Sequence, residues 1–559
     1  MPFFTFKNLK NLVRFAPFVL PMSAFAQVEV SIKLMQDQGL SVSYQLPPNC
    51  PQLRFEKNGS GAAKIRAQWQ GQGEKQTKDD CFAVDGDYLK STNSSTNKPT
   101  NASCQQAHFV VPASTQKISG YPAAFPMGET LYLHTSNYQV DDHCGAVSYR
   151  IEAPYIALEG RQEQGQVTIT PKSDYSFPAL LSPHPFAHGH GVISYIDPHL
   201  AADTIARINE VAEKTITFLK GELPKAQFDM PIIVAANVMH PGSTGQDGDA
   251  GNVLRLSLFN WPAQLNPSAK ADVTAFVAHE FSHRFQQRDA VDIYAQSRLI
   301  HEGGGEFLRW YTSVSLGWLS HQEAAADLDN ALGKCFLGTG DLPWSALSAR
   351  QIGQRQLEYR CGLAAYVYGI AARPNRRAGI ANFGDFYANI QQGNKPGFYD
   401  AIECGDKTDC HPQWLPQLFK GKSPMQAGWR SFLKTTGLAK EASPNQAQTD
   451  LMIKQAFSKL MIDDCGESSY FEASDGLIMD DIKTCKTLKK EMKVIGVEGH
   501  ALFGNLQALP ALTQACQTRG KLSLRIADAP DLEVACKTVY QPISSFYVVD
   551  IKKLLQRLR

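Results

Sequence analysis

The sequence contains no Cys-x-x-Cys pair, which removes support for a zinc ribbon or a thioredoxin-like redox site. It also has no Gly-x-Ser-x-Gly, the commonest serine-hydrolase signature. No apolar run approaches the ~20 residues that span a bilayer, so a membrane bundle is excluded. No repeat of solenoid period is present. Neither charge sign is in excess: Lys plus Arg is 55 and Asp plus Glu is 54, a formal net charge of +1. Basic residues do not cluster with aromatics, so a nucleic-acid partner has no support. What remains is an ordinary globular composition, 43% hydrophobic and 19% charged over 559 residues. That length holds three or four domains of ~150 residues each, with ample buried core.

Residues 1–26 carry Lys7, Lys10 and Arg14, then the apolar stretch Phe15 to Leu20, then Met22-Ser23-Ala24-Phe25-Ala26. A basic start, a short apolar centre and an A-x-A end predict a secretory signal peptide. The apolar stretch, interrupted by Pro17 and Pro21, is too short for a membrane anchor. Removing it leaves 52 basic against 54 acidic residues, a net charge of −2 on an exported, soluble chain, periplasmic or secreted. The twelve cysteines fall in three sets of four: 50, 81, 104 and 144; 335, 361, 404 and 410; 465, 485, 516 and 536. Even, separated sets are what disulfides within domains of an oxidising compartment leave behind. Connectivity is not readable from spacing; only local pairs such as Cys404 with Cys410 suggest themselves.

Short alternating runs such as Val28-Glu29-Val30-Ser31-Ile32 and Leu131-Tyr132-Leu133, broken by polar loops, predict an antiparallel β domain over residues 27–195. The texture then changes. Ile205 to Leu219 has helical spacing, Pro231 to Ala236 reads as a strand, and long helical stretches follow, predicting a mainly helical domain over 196–445. Ala442-Ser443-Pro444-Asn445 marks a boundary, and 446–559 reads as a small α/β domain. The whole is a multidomain α+β protein.

The stretch Ala271 to Gln287 lacks Gly and Pro and contains His279-Glu280-Phe281-Ser282-His283, an H-E-x-x-H. Residues four apart share a helix face, so two imidazoles can grip one Zn²⁺ while Glu280 reaches a metal-associated water. An exposed helix with an ordinary histidine pair is the plain alternative. Eighteen residues separate His283 from Glu302, in His301-Glu302-Gly303-Gly304-Gly305-Glu306. A distant Glu completes three protein ligands and leaves a fourth position open.

With this spacing the sequence resembles the gluzincin metallopeptidases, specifically the membrane alanyl aminopeptidase and glycyl aminopeptidase families: H-E-x-x-H, eighteen residues, then Glu-Gly and an aromatic-rich helix, here with Phe307, Trp310 and Tyr311. The resemblance implies a thermolysin-like, mainly helical catalytic domain and one Zn²⁺ per chain held by His279, His283 and Glu302. It also implies Glu280 as general base and a peptide or protein as substrate. Glu306 would hydrogen-bond a ligand histidine, as an acidic residue does in thermolysin-like gluzincins. Glu358-Tyr359-Arg360-Cys361-Gly362 looks like the families' Tyr-x-x-Gly helix, whose phenol donates to the oxyanion; Tyr359 follows Glu302 by 57 residues, with Tyr366 and Tyr368 as rivals. Two departures stand out. Where the alanyl family places Gly-x-Met-Glu-Asn, with a Glu that holds the substrate amine, this chain has Gly248-Asp249-Ala250-Gly251-Asn252, so exopeptidase specificity is unsupported, although Asp247 or Asp249 could substitute. The triple glycine 303–305 predicts a helix that begins at or near Glu302 and a looser, wider cleft floor, because interior glycines cost roughly 1 kcal/mol each.

The segment Val494-Ile495-Gly496-Val497-Glu498-Gly499-His500 and the helix and strand that follow look like the second half of a PDZ domain, which glycyl aminopeptidase relatives carry. A small disulfide-braced α/β domain is the alternative. His184, His188 and His190 lie in a Pro/Gly loop that reads better as a junction than as a metal site. Gly421-Lys422-Ser423 has Pro416 where a phosphate loop needs its first glycine. The expectation is an exported zinc metallopeptidase without a stable membrane anchor. The rival is a catalytically silent, zinc-containing binding or scaffold protein. A hydrolase of non-peptide amides or epoxides has nothing in the sequence to favour it.

Overall fold

The computed structural model describes residues 27–558 except 37–38, 48–49, 51, 71–79, 92–104, 119–120, 171–175, 190–191, 229–231, 240–244, 251, 287–296, 374–379 and 403–413. The expected signal segment, His190 and the Cys404–Cys410 pair lie outside the described residues. The chain divides into two compact units, the first running through Gly189 and the second holding Pro198–Ala250 and Leu254–Arg559.

The first unit is built on an eleven-stranded sheet. At its centre β1 (Gln27–Leu34) pairs antiparallel with β2 (Leu40–Gln45), which pairs with β3 (Gln106–Val111). Between β4 (Thr130–His134), β5 (Ala146–Leu158) and β6 (Pro178–Ser182), β6 pairs with both others, and β5 runs parallel to β1. Val28, Val30 and Ile32 are buried while Glu29 and Lys33 are exposed, the period-two pattern of a sheet with one core face. β4 departs from the alternation: all five of its residues are buried, because both faces are covered. The core is aromatic, with Trp69 stacked on Phe109 and Tyr138. Cys50–Cys144 ties the region before β3 to the start of β5. His184 and His188 are both exposed, and they belong to no candidate metal cluster among the described residues.

The second unit starts with α1 (Ala202–Glu222) and β7 (Ile232–Val238), then the hairpin of β8 (Gly245–Ala250) and β9 (Val253–Phe259). Four helices follow that build the site: α2 (Pro267–Ser282), α3 (Gly304–Ser315), α4 (His321–Thr339) and α5 (Leu357–Ala371). α5 is apolar around nearly its whole circumference, as a helix enclosed on all sides must be. Cys335–Cys361 joins it to α4.

Beyond β10 (Ala439–Ala442) the chain forms α6 (Gln446–Cys465), a six-stranded sheet and α7 (Ala508–Arg519), braced by Cys465–Cys485 and Cys516–Cys536. It then returns. β11 (Phe546–Val549) pairs antiparallel with β10, and α8 (Ile551–Leu558) sets Leu554, Leu555 and Leu558 into the same hydrophobic core as α4 and α5. Among the described residues, no helix is long and apolar enough to cross a membrane.

Candidate metal centre

The start of α2 is set locally. Asn266 accepts a hydrogen bond from the Ala269 amide at 2.9 Å, and Pro267 occupies the first helical position, where a missing N–H is harmless. The helix ends at Ser282, with His283 still in helical backbone geometry as its C-terminal cap. His279 and His283 therefore sit one turn apart on one face, both buried.

Glu302 reaches them from the other side. It lies in a widened turn, Leu299–Gly303, where the Gly304 amide faces the carbonyl five residues back as well as the nearer ones. Such π-turns concentrate at functional sites because they re-aim a side chain within a helix. The helix thus does not begin at the ligand. It is helical from Ser297 through Ser315, and Glu302 sits inside it. Nor is the floor loose. A Cβ on Gly303 would lie 2.8 Å from Gly362 Cα, and one on Gly305 would lie 2.8 Å from His283 Cε1. The glycines are there because the backbone of α5 and the ligand imidazoles occupy the space that side chains would need.

The three donors converge. His279 Nε2 and His283 Nε2 are 3.0 Å apart, and Glu302 Oε2 lies 3.3 Å from the first and 3.6 Å from the second. Corners of a tetrahedron with bonds of about 2.0–2.1 Å are about 3.3 Å apart, so two nitrogens and one oxygen at these separations fit a single Zn²⁺ with one corner open. Two imidazole nitrogens turned toward each other at 3.0 Å also need something between them other than a second proton. Glu306 Oε1 stands 2.9 Å from His279 Nδ1, and Arg309 holds Glu306 (2.9 Å) and Asp327 (2.7 Å). Burial raises the Glu306 pKa, but the adjacent Arg309 and His279 outweigh it and hold the carboxyl ionised, well below its usual range.

Glu280 faces β8. A Cβ on Gly248 would lie 2.5 Å from Glu280 Oε1. Burial pushes the Glu280 carboxyl up to about 7, opposed by His279 and assisted by Glu302 and Asp249. Of the three tyrosines, only Tyr359 reaches this group: its ring is 5.9 Å from that of His279, and burial, then the charge of Glu302, raise its pKa. Tyr366 is enclosed by Phe307, Phe383 and Phe398, and Tyr368 packs on Trp429. Asp247 is engaged by the buried Arg255 at 2.8 Å, and Asp249 is buried.

Several neighbours carry no signal in the sequence. His301 stacks on His283 at 3.9 Å. Gln286 donates to the His301 carbonyl (2.9 Å) and accepts from the Gly305 amide (3.0 Å) and the Tyr387 hydroxyl (3.1 Å). Arg298 Nη1 lies 2.9 Å from Glu302 Oε1 and its Nη2 3.4 Å from Glu358 Oε1. Each of these bridges segments far apart in the chain.

No protein-family model matches the chain, and no curated protein matches its sequence. Solved structures do resemble it. An M1 zinc metallopeptidase from Deinococcus radiodurans, bound to a Tyr-Ser-Ala substrate, aligns over 72% of this chain and 94% of its own at 13% identity, with a TM-score of 0.38. Aminopeptidase A from Legionella pneumophila, in complex with aspartic acid, aligns over 72% of this chain and 49% of its own at 12% identity, with a TM-score of 0.40. An aminopeptidase N family protein from Idiomarina loihiensis aligns over 95% of this chain and all of its own at 12% identity and a TM-score of 0.58, a likeness of fold.

Proposed function

We propose that the protein is a zinc-dependent peptidase, with one Zn²⁺ held by His279, His283 and Glu302. The observation that carries this reading is the convergence of those three donors at separations of 3.0–3.6 Å. When bound, Zn²⁺ polarises the scissile carbonyl and lowers the pKa of an attacking water toward neutrality. Glu280, whose carboxyl burial raises to about 7, accepts the water's proton and delivers it to the leaving amine. Tyr359 keeps its phenolic proton, because burial and neighbouring carboxylates disfavour the phenolate, and donates to the developing oxyanion. Glu306 fixes the orientation of His279 through Nδ1, and Arg309 and Asp327 fix Glu306.

Gly251 offers no side chain to a substrate amine and Asp247 is committed to Arg255, whereas Asp249 lies close enough to raise the Glu280 pKa. The position of cleavage therefore turns on Asp249, and the digest below reads it directly. Four disulfides support action in an oxidising, exported setting. The sheet and helix after residue 470 are proposed as a PDZ-like or small α/β module. The test is metal analysis of the purified protein together with an unbiased peptide-library digest by wild type and Glu280→Ala. Stoichiometric zinc, and cleavage lost in the variant, support the reading. Absence of zinc, or equal cleavage by the variant, ends it. Zinc with no cleavage by wild type returns the scaffold alternative.

A further inference from the structure

The contact between the helix of Glu302 and α5 contains a charge that the reaction above does not use. Arg298 stands four residues before Glu302 and grips its outer oxygen, Oε1, at 2.9 Å. The inner oxygen, Oε2, is the one that faces both imidazoles. The same guanidinium reaches Glu358 Oε1 at 3.4 Å. Glu358 is 2% exposed, and its other oxygen, Oε2, has no hydrogen-bond partner among the described residues. Glu358 immediately precedes Tyr359. One turn beyond this bridge, Gly303 and Gly362 bring the two helices into direct backbone contact.

A buried ion pair adds little net stability over a well-packed apolar pair, so stability alone does not account for a guanidinium shared by two buried carboxylates at this point. The planar fork of arginine is suited to fixing the orientation of a carboxylate. A carboxylate free to rotate can present either or both oxygens to a cation; with Oε1 held, only Oε2 is presented. We propose that Arg298 is a positioning residue. It restricts Glu302 to its inner oxygen and, through Glu358, ties the ligand helix to the turn that carries Tyr359, so that metal binding and placement of the phenol are coupled. This inference rests on the zinc reading of the site.

The test uses the full chain, loaded with Zn²⁺ or with Co²⁺ as a spectroscopic probe, in Arg298→Met, Arg298→Lys, Glu358→Gln and each combined with Tyr359→Phe. Loss of such a supporting contact weakens metal binding by about 10–100-fold. Arg298→Met is expected to lose Zn²⁺ to a competing chelator by about that factor and to change the Co²⁺ visible absorption, with kcat falling more than KM rises. Arg298→Lys recovers part of the loss. Glu358→Gln lowers kcat while Zn²⁺ affinity stays within about twofold, and that kcat effect disappears in the Tyr359→Phe background, as coupled residues require. The inference is overturned if folded Arg298→Met keeps wild-type Zn²⁺ affinity and Co²⁺ spectrum. If Arg298→Met does not fold, independent, additive losses from Glu358→Gln and Tyr359→Phe overturn it instead. Both results leave the zinc reading standing. Failure of wild type itself to bind Zn²⁺ or Co²⁺ removes that reading and this inference together.

Discussion

Arg66 in the N-terminal unit and the His279–Glu302 cluster in the helical unit both take charge out of water, with different outcomes. Arg66 is wholly buried, and the two ends of its guanidinium are engaged: Nη1 meets Asp87 at 2.9 Å, Nη2 donates to the Lys57 carbonyl, and the faces of Phe55 (4.1 Å) and Trp69 (5.6 Å) cover it. Its partners are one carboxylate, one carbonyl and two rings. In the helical unit the outer atoms also face charge, His279 Nδ1 at 2.9 Å from Glu306 and Glu302 Oε1 at 2.9 Å from Arg298, but the inner atoms point at one another. Lone pairs converging on a common point are what separates a site from a buried ion pair. Outer atoms facing other groups, and inner atoms facing one another, define the arrangement.

Substitutions sharpen that contrast. Tyr359→Phe removes the proposed oxyanion donor and is expected to lower kcat by about 10²-fold, with melting temperature and zinc content unchanged, checked by steady-state kinetics beside calorimetry. Arg66→Met should do the reverse: unfolding free energy falls by about 3 kcal/mol in denaturant titration, while kcat of the folded protein stays as it was. Gly362→Ala blurs the two regions. Its Cβ is driven into the backbone of Gly303, which cannot yield as a side chain tip would, so stability falls by about 1–3 kcal/mol and zinc retention weakens with it.

The smallest effect concerns pH. Asp329 on α4 accepts from the Val549 amide at 2.9 Å, and burial raises its carboxyl to about 7 despite that hydrogen bond. A raised folded-state value in an acid favours the protonated form. The contribution is complete below about 4, the unfolded value, and is lost as pH rises through 7. Asp329→Asn keeps an acceptor and cannot ionise. Its melting temperature should match wild type near pH 4, exceed it increasingly as pH rises from 4 to about 7, and keep a constant lead above that; equal curves throughout would refute this.

The legible parts were the local ones. The four-residue spacing of the imidazoles is visible within one helix, and the alternation of Val28, Val30 and Ile32 within one strand. Glu302 stands out at a distance because the eighteen-residue separation is a pattern of known length, and it lies beside both imidazoles. Gly303 misleads in isolation: its propensity argues for a weak helix, but its partner, Gly362, is remote in the chain, and backbone contact between helices decides. Arg298 with Glu358, and Gln286 with Tyr387, are likewise pairings that no local period announces. The full burial of β4 depends on what covers its second face, which a period of two cannot express.

The pairing of β10 with β11 has a topological consequence. Ala442 and Phe546 are register partners, so everything from Ser443 to Ser545 departs and re-enters through neighbouring strands about 5 Å apart. That stretch is an insert within the helical unit, exchangeable in principle for a short turn, and not a tail appended after it. Leu554, Leu555 and Leu558 follow that stretch and share one core with α4 and α5, so this core is assembled from both sides of the insert. A chain cut within the insert lacks those three leucines and leaves the apolar faces they cover open to water and within reach of proteolysis.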